Sequence, residues 1–147
     1  MRVKLTLTVL AFAAALAGIA FAADDPIQAR RDVMKSNQEA AKTAFGMIQG
    51  DIPYDAAKAA AAMKTLQDDM ATFPSLFPAG SDQGKTAASP AIWQNMDDFK
   101  AHAAKLAADA KVAEAAAPNG LDAFKAAADA VGQDCGSCHE LYRVKRN

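Results

Sequence analysis

The chain has 147 residues, with 16 basic and 17 acidic side chains for a formal charge of −1, and 52% of its residues are hydrophobic. That balance provides no basic face for nucleic acid, and the length fits one ordinary domain rather than several. The two cysteines stand three residues apart near the carboxyl end, where a disulfide would staple almost nothing.

In chain order, Met-Arg-Val-Lys places two positive charges ahead of an uncharged, largely apolar run from Leu5 to Ala22. The run closes on Ala20-Phe21-Ala22, a small-x-small cleavage pattern. This layout predicts a secretory signal peptide over residues 1–22. Its Ala and Gly content makes it too mild and too short for a membrane span of about 20 strongly apolar residues. Cleavage leaves a single domain, residues 23–147, with no second hydrophobic segment. The mature protein is therefore expected in the periplasm without a membrane span.

The remainder reads as helix throughout, because β-branched residues are few and apolar positions recur at three and four rather than two. Asp25 caps a first helix with Pro26 as its first residue. A stripe of Ile27, Met34, Ala41 and Ile48, with Phe45 beside it, runs to Gly50. After Asp-Ile-Pro-Tyr-Asp a second stripe, Ala56, Ala59, Met63, Leu66, Met70 and Phe73, ends at Pro74. The segment PSLFPAGSDQGKTAASP is long for a connection and is expected to cross the bundle or cover a pocket.

Ser89 and Pro90 open a third helix with the seam Trp93, Met96, Phe99, Ala103, Leu106, Ala110 and Ala113, broken by Pro118-Asn119-Gly120. The fourth seam is Leu121, Phe124, Ala128, Val131, Cys135, Cys138 and Tyr142. Four helices with mostly short links predict an all-α fold, an antiparallel up-down-up-down four-helix bundle. Seams so rich in alanine leave the interior thin, and voids are costly. A large apolar cofactor between the helices fills the gap.

The stretch Asp-Cys-Gly-Ser-Cys-His, residues 134–139, admits a redox dithiol, half a zinc site or a haem attachment point. On a helix, Cys135, Cys138 and His139 emerge from one face, as two thioethers and an adjacent axial nitrogen require. A reactive dithiol belongs at a helix N-terminus after a strand, whereas this pair lies at a helix C-terminus. Zinc needs two further ligands, and the only other histidine, His102, lies off its seam and is expected to face solvent. Haem c, bound covalently through Cys135 and Cys138, is the favoured cofactor.

A signal peptide, four helices and a haem motif close to the C-terminus resemble the cytochrome c′ family, the class II c-type cytochromes. Besides CGSCHELYR, the resemblance is carried by ARRDVMKSN, PYDAA, FPAGSD and SPAIW. In an up-down-up-down bundle, Met34, Met70 and Met96 lie level with the motif and Met47 and Met63 lie too far away; geometry does not choose among the three. The resemblance implies Met34, whose aligned position faces the distal side of the haem and is a methionine ligand in a low-spin branch. It also implies Arg30 near a haem propionate and Arg143 near the proximal face. Trp93 and Tyr142 are expected to supply contact area.

These readings predict a carrier of single electrons between redox partner proteins, with the iron held by His139 and Met34, and no enzymatic activity. The alternative is a five-coordinate protein that binds nitric oxide or carbon monoxide at an open distal site. Family relatives are often homodimers through the first two helices. Here the outward faces, with Lys42, Lys58, Lys64, Asp68 and Asp69, are compatible with a monomer or a dimer.

Overall fold

The computed structural model describes residues 25–144, so the expected leader, residues 1–22, lies outside the described residues. Five helices follow in order: α1 (Pro26–Gln49), α2 (Ala56–Thr72), α3 (Ala91–Gln94), α4 (Met96–Ala116) and α5 (Leu121–Tyr142). Short 3-10 turns, Phe73–Leu76 and Ala117–Asn119, close α2 and α4. The four long helices form the expected bundle. α1 packs on α2, α2 on α4 and α4 on α5, whereas α5 and α1 meet only sparsely.

The ends follow the local chemistry. Asp25 caps α1 by accepting from the Ile27 amide at 2.9 Å, with Pro26 in the first turn, and Gly50 ends it at φ 82°, a left-handed conformation that glycine adopts without strain. Asp55 caps α2 through the Lys58 amide at 3.0 Å.

The expected third helix is broken in two at Asn95. Its backbone leaves the helical region (φ −133°, ψ 49°), and its side-chain amide donates to the Ala91 carbonyl at 3.3 Å, competing with the helical ladder. The helix resumes at Met96. The buried residues of α1 are Arg30, which reaches the long connection, and Ala40, Ala44 and Met47, while the predicted stripe of Ile27, Met34, Ala41 and Ile48 is only half-buried.

At the end of the bundle holding the α5 C-terminus, aromatic rings replace alanine. Phe77 and Phe99 meet edge-on with centroids 4.8 Å apart, Phe99 and Tyr142 at 5.2 Å, and Phe77 and Trp93 at 5.7 Å. Arg30, only 5% exposed, lies over Phe77 with its guanidinium carbon 4.2 Å from the ring centroid. It donates to the Leu76 carbonyl at 2.7 Å, to the Ser81 carbonyl at 2.9 Å and to the Ser81 hydroxyl. The long connection is thereby clamped across the first turns of α1. Arg31 also reaches the Lys85 carbonyl, and a Cβ on Gly84 would lie 3.5 Å from Ile27.

The connection then runs to the far end of α5. The Ser89 amide donates to the Tyr142 carbonyl and the Val144 amide to the Ala87 carbonyl, each at 2.9 Å, around an isolated antiparallel bridge between Ala88 and Arg143. Arg30→Met keeps the stem but strips these carbonyls of their donor. It is expected to cost about 2–3 kcal/mol, read as a lower urea midpoint at unchanged slope.

Candidate haem site

Gly132 fixes which way the end of α5 faces. A Cβ there would lie 3.5 Å from the ring of Phe45, so this face of α5 looks at α1. Cys135 and His139 follow by three and seven residues, one and two turns along, and share that face. On the opposite wall, Met34 precedes Phe45 by three turns and therefore lies on the same stripe of α1. Because the helices are antiparallel, Met34 lies about 16 Å and His139 about 10 Å from the contact toward the same end. The two side chains flank the seam where α1 and α5 scarcely touch.

Apolar side chains at this end of the bundle are incompletely covered: Val33, Met34, Trp93, Met96, Cys135 and Cys138 pack against the core yet remain partly exposed. A Cβ on Gly136, inside the motif, would meet no atom within 4 Å. The other methionines are engaged elsewhere. Met47 and Met63 are buried at 1% and 0% exposure, and Met70 sits in the core at 5%. Met47 also accepts the Asp55 amide through its sulfur at 3.4 Å, at the other end of the bundle.

Electrostatics separates the chemistries open to two thiols and an imidazole. Burial, then Cys135, Asp134 and Asp98, push the Cys138 thiol up to about 11. Burial and Asp134 raise Cys135 as well. A reactive dithiol needs the opposite shift. His139 is exposed by surface area, yet its ring lies low enough among protein atoms that desolvation first and the Arg143 guanidinium second depress its pKa. The neutral imidazole that a metal requires is favoured. Zinc finds no second pair of ligands, since no group of three or more His, Cys, Asp or Glu able to hold a metal occurs among the described residues.

Arg30 is not on a solvated helix face. Its three hydrogen bonds hold the loop, and two of its five guanidinium N–H groups are left for another acceptor. Arg143 is exposed in extended backbone just past α5, near enough to His139 for its charge to be felt there. Trp93 packs edge-on against Phe77 and donates Nε1–H to the Pro78 carbonyl at 3.1 Å. Tyr142 is buried and donates to Asp98, which pushes its pKa up to about 12. His102, expected to face solvent, is partly covered: it packs edge-on against Tyr142 at 5.8 Å with Nε2 3.6 Å from Asp98.

A family model described as Cytochrome C′ matches residues 25–143. The chain belongs to the cytochrome c′ family. It is 38% identical to a cytochrome c-556 of Agrobacterium fabrum over 146 residues, covering 99% of each chain. Among solved structures it is similar to cytochrome c′ from Rhodopseudomonas palustris, with a TM-score of 0.81 and 34% identity over 85% of this chain and 100% of that one. It is also similar to an NMR-validated structural model of oxidized R. palustris cytochrome c556, with a TM-score of 0.75 and 28% identity over 85% and 100%.

As a cytochrome c′ family member the protein takes covalently attached haem c. The residues present fit that group, since two half-buried thiols and an imidazole share one face of α5 beside an apolar wall that the protein covers only in part. No helix among the described residues is long and apolar enough to cross a membrane.

Sequence reasoning missed Asp134, a buried carboxylate beside Cys135, and its ion-pair partner Lys105 from α4. The Lys105-Asp109 spacing of four was a visible signal for one of the lysine's contacts. No signal in the chain marks the cross-helix contact.

Proposed function

We propose that the protein is an exported one-electron carrier with Cys135 and Cys138 anchoring the haem, His139 as one axial ligand and Met34 as the other. The observation that carries this reading is the half-buried stripe of α1, Ile27, Met34 and Ala41, facing the same seam as the Cys135–His139 face of α5. A stripe read as core yet left half-covered by protein is what a wall reserved for a prosthetic group looks like. The haem iron, when bound, supplies the one-electron couple.

The chain's own part is to hold that couple still. Helical spacing fixes both anchoring cysteines and His139 on one rigid element, and Met34 projects from a helix clamped at its first turns by Arg30. With His139 and Met34 both on the iron, little would rearrange between oxidation states, and a thioether would raise the potential. Arg30 retains donors for a propionate, and Arg143 lies beside the proximal histidine. A carrier makes and breaks no substrate bonds, so no enzymatic role is assigned.

The leader, residues 1–22, delivers the domain of residues 23–147 to the periplasm, where it meets redox partner proteins. An outward groove between α1 and α2, lined by Ser36, Thr43, Lys58 and Thr65, accommodates either a monomer or a homodimer. The optical spectrum of the purified ferric protein tests the ligation. A low-spin spectrum is expected, and a high-spin one would replace the carrier with the five-coordinate gas binder and leave Met34 as a distal wall.

A further inference from the structure

Asp134 stands immediately before the first anchoring cysteine and is 5% exposed, on the side of α5 that faces α4. Its Oδ1 accepts from Lys105 Nζ at 2.6 Å, while Oδ2 is buried without a hydrogen-bond partner. The same lysine reaches Asp109 Oδ2 at 2.7 Å. One largely exposed ammonium therefore serves two carboxylates, and the local balance is negative. Asp98, also from α4, adds a carboxylate that is spent on the Tyr142 hydroxyl. Glu140, on α5, and Arg143, just past its end, are both exposed and of opposite sign. The one charge in this group removed from solvent is Asp134.

A charge in a low-dielectric interior acts on its neighbours far more strongly than a solvated one, and salt screens it less. Asp134 is among the groups that raise both thiols, so its field reaches the two atoms to which the haem is joined. From this placement we infer that Asp134, with Lys105 as its counter-ion, sets the reduction potential of the haem carried by Cys135 and Cys138. The inference rests on haem attachment at those two residues. A fixed anion favours the more positive, ferric state and lowers the potential; the ammonium offsets part of that field, since outer-shell charge and burial are among the levers a protein has on a haem potential. The carboxylate stands on the helix that bears the cofactor, so the geometry of its action is rigid, and Lys105, at 60% side-chain exposure, is the adjustable half of the pair.

The test is a spectroelectrochemical titration of the holoprotein at fixed pH and ionic strength. Asp134→Asn is expected to raise the midpoint potential, Lys105→Gln to lower it, and Lys105→Arg to restore it toward the parent value, with the axial-ligand spectrum unchanged in all three. Opposite signs for the two neutralising variants mark an electrostatic role, because a packing defect has no reason to reverse. Midpoints that stay at the parent value, or that move in the same direction in both variants, overturn the inference. If Asp134→Asn does not fold, the comparison of Lys105→Gln with Lys105→Arg decides alone: a lowered midpoint restored by arginine supports the inference, and equal midpoints overturn it. A parent protein lacking covalent haem overturns the proposed function instead, an outcome visible in its mass before any potential is measured.

Discussion

Replacing both Cys135 and Cys138 by alanine is expected to abolish covalent haem retention altogether. Acid-acetone should leave the pigment on the parent polypeptide and strip it completely from the double variant. The intact mass of the exported parent should equal the chain from about Ala23 plus one haem, and that of the variant the chain alone. A second loss should accompany the first. The buried positions of α2, α4 and α5 include Ala59, Ala62, Ala103, Ala110, Ala113 and Ala128, which contribute little volume, and the seam between α1 and α5 is sparse in contacts. A group that binds the folded state alone stabilises it by mass action, and its loss leaves an underfilled interior. The variant's far-ultraviolet circular dichroism should therefore melt at lower temperature and less cooperatively. A double variant that still holds its pigment through acid-acetone would sink the attachment assignment.

Met34→Ala should give the largest spectroscopic change of any single substitution. If the sulfur ligates the iron, the parent ferric protein is low-spin with a weak far-red band from methionine ligation, and its ferrous form reacts slowly with carbon monoxide because the ligand has to leave first. The variant should lose the band, become high-spin, take up carbon monoxide readily and fall in potential, since the thioether's preference for ferrous iron is gone. Met70→Ala is the contrasting case. Met70 is a core residue at 5% exposure, and its truncation should cost about 2–5 kcal/mol of stability and leave the spectrum unchanged. Met96→Ala, at the partly exposed start of α4, should do the same with a smaller loss. Loss of the far-red band in Met96→Ala but not in Met34→Ala would move the distal ligand from α1 to α4.

Much of the architecture was legible because its signals are local. Asp25 with Pro26, Gly50, and Pro118-Asn119-Gly120 mark helix boundaries by what their own atoms can and cannot do, and the structure places the boundaries there. The three-and-four spacing by itself places Cys135, Cys138 and His139 on one face. What was illegible depends on partners far away in the chain. Arg30, which the resemblance sets beside a haem propionate, is a buried clamp only through Leu76, Phe77 and Ser81, some fifty residues on. Nothing local marks Asp134 for the same reason, its lysine lying on another helix. The Asn95 break was missed because seam periodicity is blind to an amide that bonds its own backbone. The α1 stripe was correct in period but displaced in depth. Periodicity finds apolar faces without telling those covered by protein from those left half-covered.

The pair of hydrogen bonds joining Ala87 and Ser89 to Val144 and Tyr142 divides the long connection into two parts with different tolerance of change. The tip around Asp82 and Gln83 bonds only locally, so foreign sequence spliced between Gln83 and Gly84 would hang from the bundle without disturbing its register. One residue added between Ala87 and Ser89 would put the Ala87 acceptor and the Ser89 donor out of step with the end of the cofactor-bearing helix. The same loop thus offers a grafting point for an affinity handle or a tethered redox partner, within a few residues of a position where lengthening by a single residue would be felt at the haem.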